Sequence, residues 1–113
     1  MRLGEFEMDD LPIELKREIA DLYLKNKKKL EDVDATALDS FASKVLEIIG
    51  RMKGQFKLPH DLEVLKESME HLKNDSSTLK RFTPGSDDYD FARNDCKSLI
   101  NSVKRWLTME GLV

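Results

Sequence analysis

The chain has two histidines, His60 and His71, which are the first residues to consider as metal ligands or general bases. A metal site on one helix places its ligands three or four positions apart, whereas these two are eleven positions apart. Neither histidine belongs to a recognisable cluster of histidine, cysteine and carboxylate residues. We therefore expect both at the surface or its boundary, and the sequence predicts no metal site and no cofactor.

The single cysteine, Cys96, lies between Ala92 and Leu99 on an apolar helical stripe. A nucleophilic cysteine needs an exposed, electropositive setting with a nearby base. Lys97 is adjacent in sequence but points about 100° away around a helix. We expect Cys96 to be buried and unreactive.

Paired carboxylates occur at three places in the chain, each next to a predicted helix start: Asp9 and Asp10, Asp32 and Asp34, and Asp87 and Asp88. Capping of free N–H groups and the helix dipole account for acidic residues at these positions. The chain has no Gly-rich phosphate loop. The sequence thus predicts no catalytic residue, no small-molecule substrate and no enzymatic activity.

Four apolar stripes with helical spacing provide the elements that must position these residues. The first predicted helix covers roughly 11–28 and opens at Leu11-Pro12. The second begins after an Asp34 cap and ends near Gly54. The third runs from Leu58 to the polar stretch 74–77, which begins the longest connection, ending at Pro84-Gly85. The fourth follows a Ser86 cap and ends at Gly111.

Length and composition agree with one small helical domain. The chain has 113 residues, 40% of them hydrophobic, with only 5 Gly and 3 Pro, which is too few turn residues for a many-stranded β fold. Mostly short connections favour antiparallel neighbours. The sequence predicts an all-α, four-helix antiparallel up-and-down bundle over 11–113, preceded by an N-terminal arm at 1–10.

Net charge, cysteine content and the lengths of apolar runs indicate which partners and which cellular location to expect. The net charge of −3 argues against a protein that binds nucleic-acid phosphate backbones non-specifically. A single cysteine is typical of a protein in a reducing compartment. No apolar run approaches the ~20 residues of a membrane span, and the N-terminus lacks a signal-peptide pattern. We expect a cytoplasmic protein that does not enter membranes.

More apolar residues are present than a minimal four-stripe core requires. The surplus comprises Phe6, Met8, Leu24, Phe56, Met109, Leu112 and Val113. Such residues either cap the bundle or form a contact with another chain. The sequence predicts a non-catalytic protein-interaction or regulatory domain that self-associates or binds a protein partner, with Leu46, Ile49 and Trp106 at the interface.

The alternative prediction is a small nucleic-acid-associated protein. Two basic groups carry it, and they could contact a phosphate or an acidic partner: Lys27, Lys28 and Lys29 near the end of the first helix, and Lys80 and Arg81 beside Phe82 in the long connection.

The order of elements resembles HEPN domains, small helical bundles of prokaryotic toxin–antitoxin and defence systems. Leu11-Pro12 opening a first helix, Tyr23 near its end and a long last helix from Tyr89 carry the resemblance. HEPN ribonucleases cleave RNA with an Arg followed after four to six residues by His, and no arginine of this chain has a histidine at that distance. Lys66 with His71 is the nearest substitute. The resemblance implies a non-catalytic member that acts by binding.

Overall fold

In a computed structural model of the chain, residues 13–51 and 60–113 are described, with side chains described from Glu63 onward in the second range. They form four helices: α1 (Ile13–Glu31), α2 (Ala35–Gly50), α3 (His60–Arg81) and α4 (Asp87–Met109). The predicted arm at 1–10, the start of the first helix at Leu11, the second helix end near Gly54 and the third helix start at Leu58 lie outside these ranges. α1 extends three residues beyond its predicted end at 28.

The helices form a closed ring in which each packs on the next and α4 packs back on α1. This arrangement is the predicted four-helix antiparallel up-and-down bundle. The predicted stripes supply its core, which includes Ile19, Phe41, Met69 and Val103. α1 and α3 lie on one diagonal of the ring, and α2 and α4 on the other. Residues on α2 and α4 therefore do not share one surface.

Local sequence signals fix the helix ends. Asp34 accepts a hydrogen bond from the N–H of Ala37, and Ser86 accepts one from the N–H of Tyr89, so both predicted N-caps are confirmed. α4 ends at Met109, and the predicted stop residue, Gly111, follows two positions later with a φ of 76°, in the left-handed region that glycine tolerates. There the N–H of Leu112 bonds to the carbonyl of Leu107.

The turn between α1 and α2 also has a residue with positive φ just after the helix end, but here that residue is Val33 and not glycine. Val33 has a φ of 58°, a strained conformation for a β-branched residue. The N–H of Asp34 bonds to the carbonyl of Lys29, as in a Schellman motif. The Val33 side chain is 7% exposed, so its burial in the core offsets the backbone strain.

The predicted end of the third helix at 74–77 is wrong, because α3 continues to Arg81. The hydroxyls of Ser76 and Thr78 donate hydrogen bonds to carbonyls of the preceding turn, at Lys73 and Asn74, and so do not interrupt the helix. Leu79 continues the buried stripe seven residues after Leu72. Tertiary packing thus overrides the turn-forming composition, and the connection to α4 shortens to 82–86.

Candidate functional site

Three ionisable side chains converge where α3 packs against α4. His71 and Asp75 are four residues apart on α3 and therefore lie on the same face of that helix. Asp95 lies on α4, opposite them. His71 Nε2 is 2.5 Å from Asp95 Oδ2 and 3.6 Å from Asp75 Oδ2. One ligand atom from each of the three residues lies within 4.8 Å of the other two.

Burial differs across this cluster, which we call the His71 cluster. The side chain of Asp75 is 12% exposed, whereas that of His71 is 57% exposed and that of Asp95 is 29% exposed. The buried Oδ2 of Asp75 receives no hydrogen bond within the described part of the chain. A buried carboxylate oxygen without a donor is costly, so the site favours an added positive group: a proton or a cation.

The electrostatics of Asp75 follow from this geometry. Burial and the neighbouring, negatively charged Asp95 carboxyl raise the pKa of Asp75 to about 7, while the nearby His71 lowers it. Asp75 therefore keeps its proton to a pH well above that at which a lone aspartate ionises.

Cys96 follows Asp95 in sequence but points into the core and is fully buried, which confirms its predicted location. Burial, with smaller contributions from the charges of Asp75 and Asp95, raises the pKa of the Cys96 thiol to about 12. Because the thiolate is the reactive form, this cysteine is inert at neutral pH.

The sequence-based expectation for the histidines is wrong in one respect. His71 is exposed, as predicted, but it belongs to a cluster with two aspartates. Its spacing to Asp75 was a usable signal, since positions four apart share a helix face. Asp95 was not recognisable because it comes from a different helix. The side chain of His60 lies outside the described residues.

The residues predicted for a partner interface do not form one surface. Ile49 is 2% exposed and belongs to the core, while Leu46 is partly buried against the core. Both lie on α2, diagonal to Trp106 on α4. Of the three, Trp106 lines a surface groove.

That groove runs between α3 and α4 and has a volume of about 350 Å³. It is lined by Val64, Leu65, Ser68, Ser102, Val103, Arg105, Trp106 and Met109. Val64 is 48% exposed and Met109 is 79% exposed, so two large apolar side chains face solvent at its rim. Met109 is one of the surplus apolar residues. Leu24 and Val113 are exposed elsewhere, Leu112 packs against the core, and Phe6, Met8 and Phe56 lie outside the described residues.

The two predicted basic groups lie at one end of the bundle. Lys27, Lys28 and Lys29 are exposed on α1, whereas Lys80 and Arg81 occupy the last turn of α3 rather than a long connection. Lys80 Nζ is 3.4 Å from Asp39 Oδ2, and the Arg81 guanidinium lies 5.9 Å from the centre of the Phe82 ring. Acidic residues share this end: Glu31, Asp32, Asp34, Asp87 and Asp88. The lysines and the arginine therefore do not form a separate basic patch.

Comparisons with known proteins return no relative: no protein-family model, no curated protein and no solved structure matches the chain. Among residues 13–51 and 60–113, no helix is both long enough and apolar enough to cross a membrane.

Proposed function

We propose that this chain is a non-catalytic interaction domain that pairs with a second copy of itself through the surface formed by α3 and α4. The observation that carries the proposal is the exposed apolar groove around Trp106. We call the surface on either side of it the α3/α4 face. The face comprises Val64, Ser68, His71, Phe91, Asp95, Ser98, Ser102, Arg105, Trp106 and Met109.

The α4 part of this face forms a continuous stripe. Phe91, Asp95, Ser98, Ser102, Trp106 and Met109 follow one another at steps of three or four, which places them on one side of the helix. Phe91 at one end is 73% exposed and Met109 at the other is 79% exposed. Aromatic residues and methionine are enriched at protein interfaces.

Charge distinguishes this face from the rest of the bundle. The groove between α1 and α2 is lined largely by charged residues: Glu18, Asp21, Lys25, Lys44, Glu47 and Arg51. The groove between α3 and α4 has one charged residue in its lining, Arg105, although 36% of the chain is charged. Charged residues are depleted at interface centres.

The size of the face sets the strength of the expected contact. α4 rises about 27 Å from Phe91 to Met109, at ~1.5 Å per residue. Two packed helices present a width of about 20 Å. The product is on the order of 500 Å² per copy, below the ~800 Å² per partner of a stable complex. We therefore expect a weak dimer whose population depends on protein concentration.

The experiment is the solution mass by light scattering across a range of protein concentrations, for the wild type and two variants. Met109→Glu places a charge at the rim of the groove and is expected to yield monomer at every concentration. Leu24→Glu is the matched control, because Leu24 is an exposed apolar residue (50%) on α1, outside the α3/α4 face. It is expected to associate as the wild type does.

A wild-type monomer at all concentrations would contradict self-association. If Met109→Glu and Leu24→Glu weakened self-association equally, this would contradict pairing through the α3/α4 face. Salt separates the proposal from the nucleic-acid alternative, because apolar pairing persists in high salt, whereas binding to phosphates weakens steeply. A salt-sensitive complex with RNA and no dimer would favour the alternative, including a binding role of the kind that the HEPN resemblance implies.

A further inference from the structure

The His71 cluster points to a binding site that the interaction proposal does not explain. We infer that His71, Asp75 and Asp95 form a site for one divalent transition-metal ion of the Zn²⁺ type, held between α3 and α4. The inference rests on the convergence of three ligand-type side chains and on the buried, unpartnered oxygen of Asp75.

The distances fit a common coordination shell. Zn²⁺ binds imidazole nitrogen and carboxylate oxygen at about 2.0–2.2 Å, so ligand atoms that share one ion lie about 3 to 3.5 Å apart. The measured separations from His71 Nε2 are 2.5 Å to Asp95 Oδ2 and 3.6 Å to Asp75 Oδ2. The separation to Asp75 is close to the upper end of this range, whereas His71 Nε2 and Asp95 Oδ2 must move apart by about 0.5–1 Å for an ion to enter between them.

The ligand set decides the class of ion. Ca²⁺ takes six to eight oxygen ligands, and Mg²⁺ keeps most of its waters and favours oxygen. One imidazole with two carboxylates suits borderline ions such as Zn²⁺ and Co²⁺. Because the chain supplies three ligands and His71 is exposed, at least one coordination position faces solvent and is completed by water.

A cation also compensates the unfavourable charges of this cluster. Asp75 Oδ2 lies in a buried position without a hydrogen-bond donor, beside a second carboxylate. A divalent ion compensates both negative charges and gives the buried oxygen a partner. Binding then stabilises the folded chain, because the unfolded chain does not hold the three ligands together.

The experiment is equilibrium dialysis of EDTA-stripped protein against Zn²⁺ with elemental analysis, repeated with Co²⁺ as a spectroscopic probe. We expect one ion per chain, a rise in thermal midpoint on binding, and Co²⁺ ligand-field absorbance. Asp95→Asn and His71→Gln are each expected to weaken binding by about tenfold or more. Circular dichroism checks that each variant is folded.

Two control variants separate this site from other causes. His60→Gln removes the other histidine of the chain and is expected to leave Zn²⁺ binding unchanged. Met109→Glu, which is designed to abolish pairing, is also expected to retain the ion, so that failure of the dimer and failure of the metal site are distinguishable. Absence of bound Zn²⁺, preference for Mg²⁺ over Zn²⁺, or loss on His60→Gln but not on Asp95→Asn would each overturn the inference.

Discussion

Replacement of Asp75 by asparagine in metal-free protein is expected to stabilise the fold, and increasingly so as the pH rises. Asparagine has nearly the same shape as aspartate, carries no charge, and its amide can donate a hydrogen bond to Asp95. The wild-type carboxyl, in contrast, must lose its proton in a buried position beside a second carboxylate. The substitution therefore removes an unfavourable ionisation rather than a contact.

The magnitude follows from the pKa. In the folded chain the pKa of Asp75 is raised from 3.8 to about 7. Between these values the folded chain binds more protons than the unfolded chain, so the stability of the wild type falls as the pH rises from about 4 to about 7. At ~1.4 kcal/mol per pKa unit, the full loss is about 4 kcal/mol above pH 7. This is a large part of the 5–15 kcal/mol that stabilises a typical small domain.

The assay is urea unfolding in EDTA, followed by circular dichroism between about pH 5 and pH 8. We expect the advantage of Asp75→Asn over the wild type to grow by about 3 kcal/mol across this range and then to level off. Asp39→Asn, which removes the exposed carboxylate near Lys80, is the control and is expected to change stability by less than about 1 kcal/mol. A wild-type stability that rises with pH, or an Asp75→Asn variant that is less stable at pH 8, would refute the reasoning.

Three further predictions concern the backbone, a buried hydroxyl and the thiol. Gly111→Ala is expected to lower the free energy of unfolding by about 1 kcal/mol, because φ is 76° there. Gly50→Ala, at a helical position with free space around it, is expected to raise it by about 0.5–1 kcal/mol. Chemical denaturation measures both changes, and two changes of the same sign would contradict the backbone argument. Tyr23→Phe is expected to be neutral or stabilising, because the buried hydroxyl has no hydrogen-bond partner among the described residues; a loss above about 1 kcal/mol on unfolding would indicate a partner for that hydroxyl. Cys96, buried and with a pKa of about 12, is expected to react with a thiol reagent only as fast as the chain unfolds, and rapid labelling of the native protein would contradict its burial.

The bundle was predictable because its signals are local. Helical spacing of apolar residues and the Asp34 and Ser86 caps act within a few turns of chain, and both are confirmed. The continuation of α3 was not predictable from Asn74 to Ser77, since it depends on Leu79 finding a place in the core. There, long-range packing decides between two locally acceptable conformations.

The candidate sites were less predictable, for a related physical reason. His71 and Asp75 are on one helix, but their significance comes from Asp95 on another, and sequence spacing carries no information about which helices are adjacent. The interface prediction combined Leu46 and Ile49 of α2 with Trp106 of α4, and sequence spacing could not show that these two helices lie on a diagonal of the bundle. An apolar stripe also gives no sign of whether a residue faces the core, as Ile49 does, or a groove, as Trp106 does.

The most direct test of the central claim uses Trp106, the only tryptophan in the chain, which lines the groove proposed to pair. Its fluorescence emission is measured through a dilution series of the wild type, with Met109→Glu as the monomeric reference. Pairing through this face predicts blue-shifted emission at high concentration that moves to the emission of Met109→Glu on dilution. An emission maximum that is independent of concentration and equal to that of Met109→Glu would show that no second copy covers the groove, and would contradict the account.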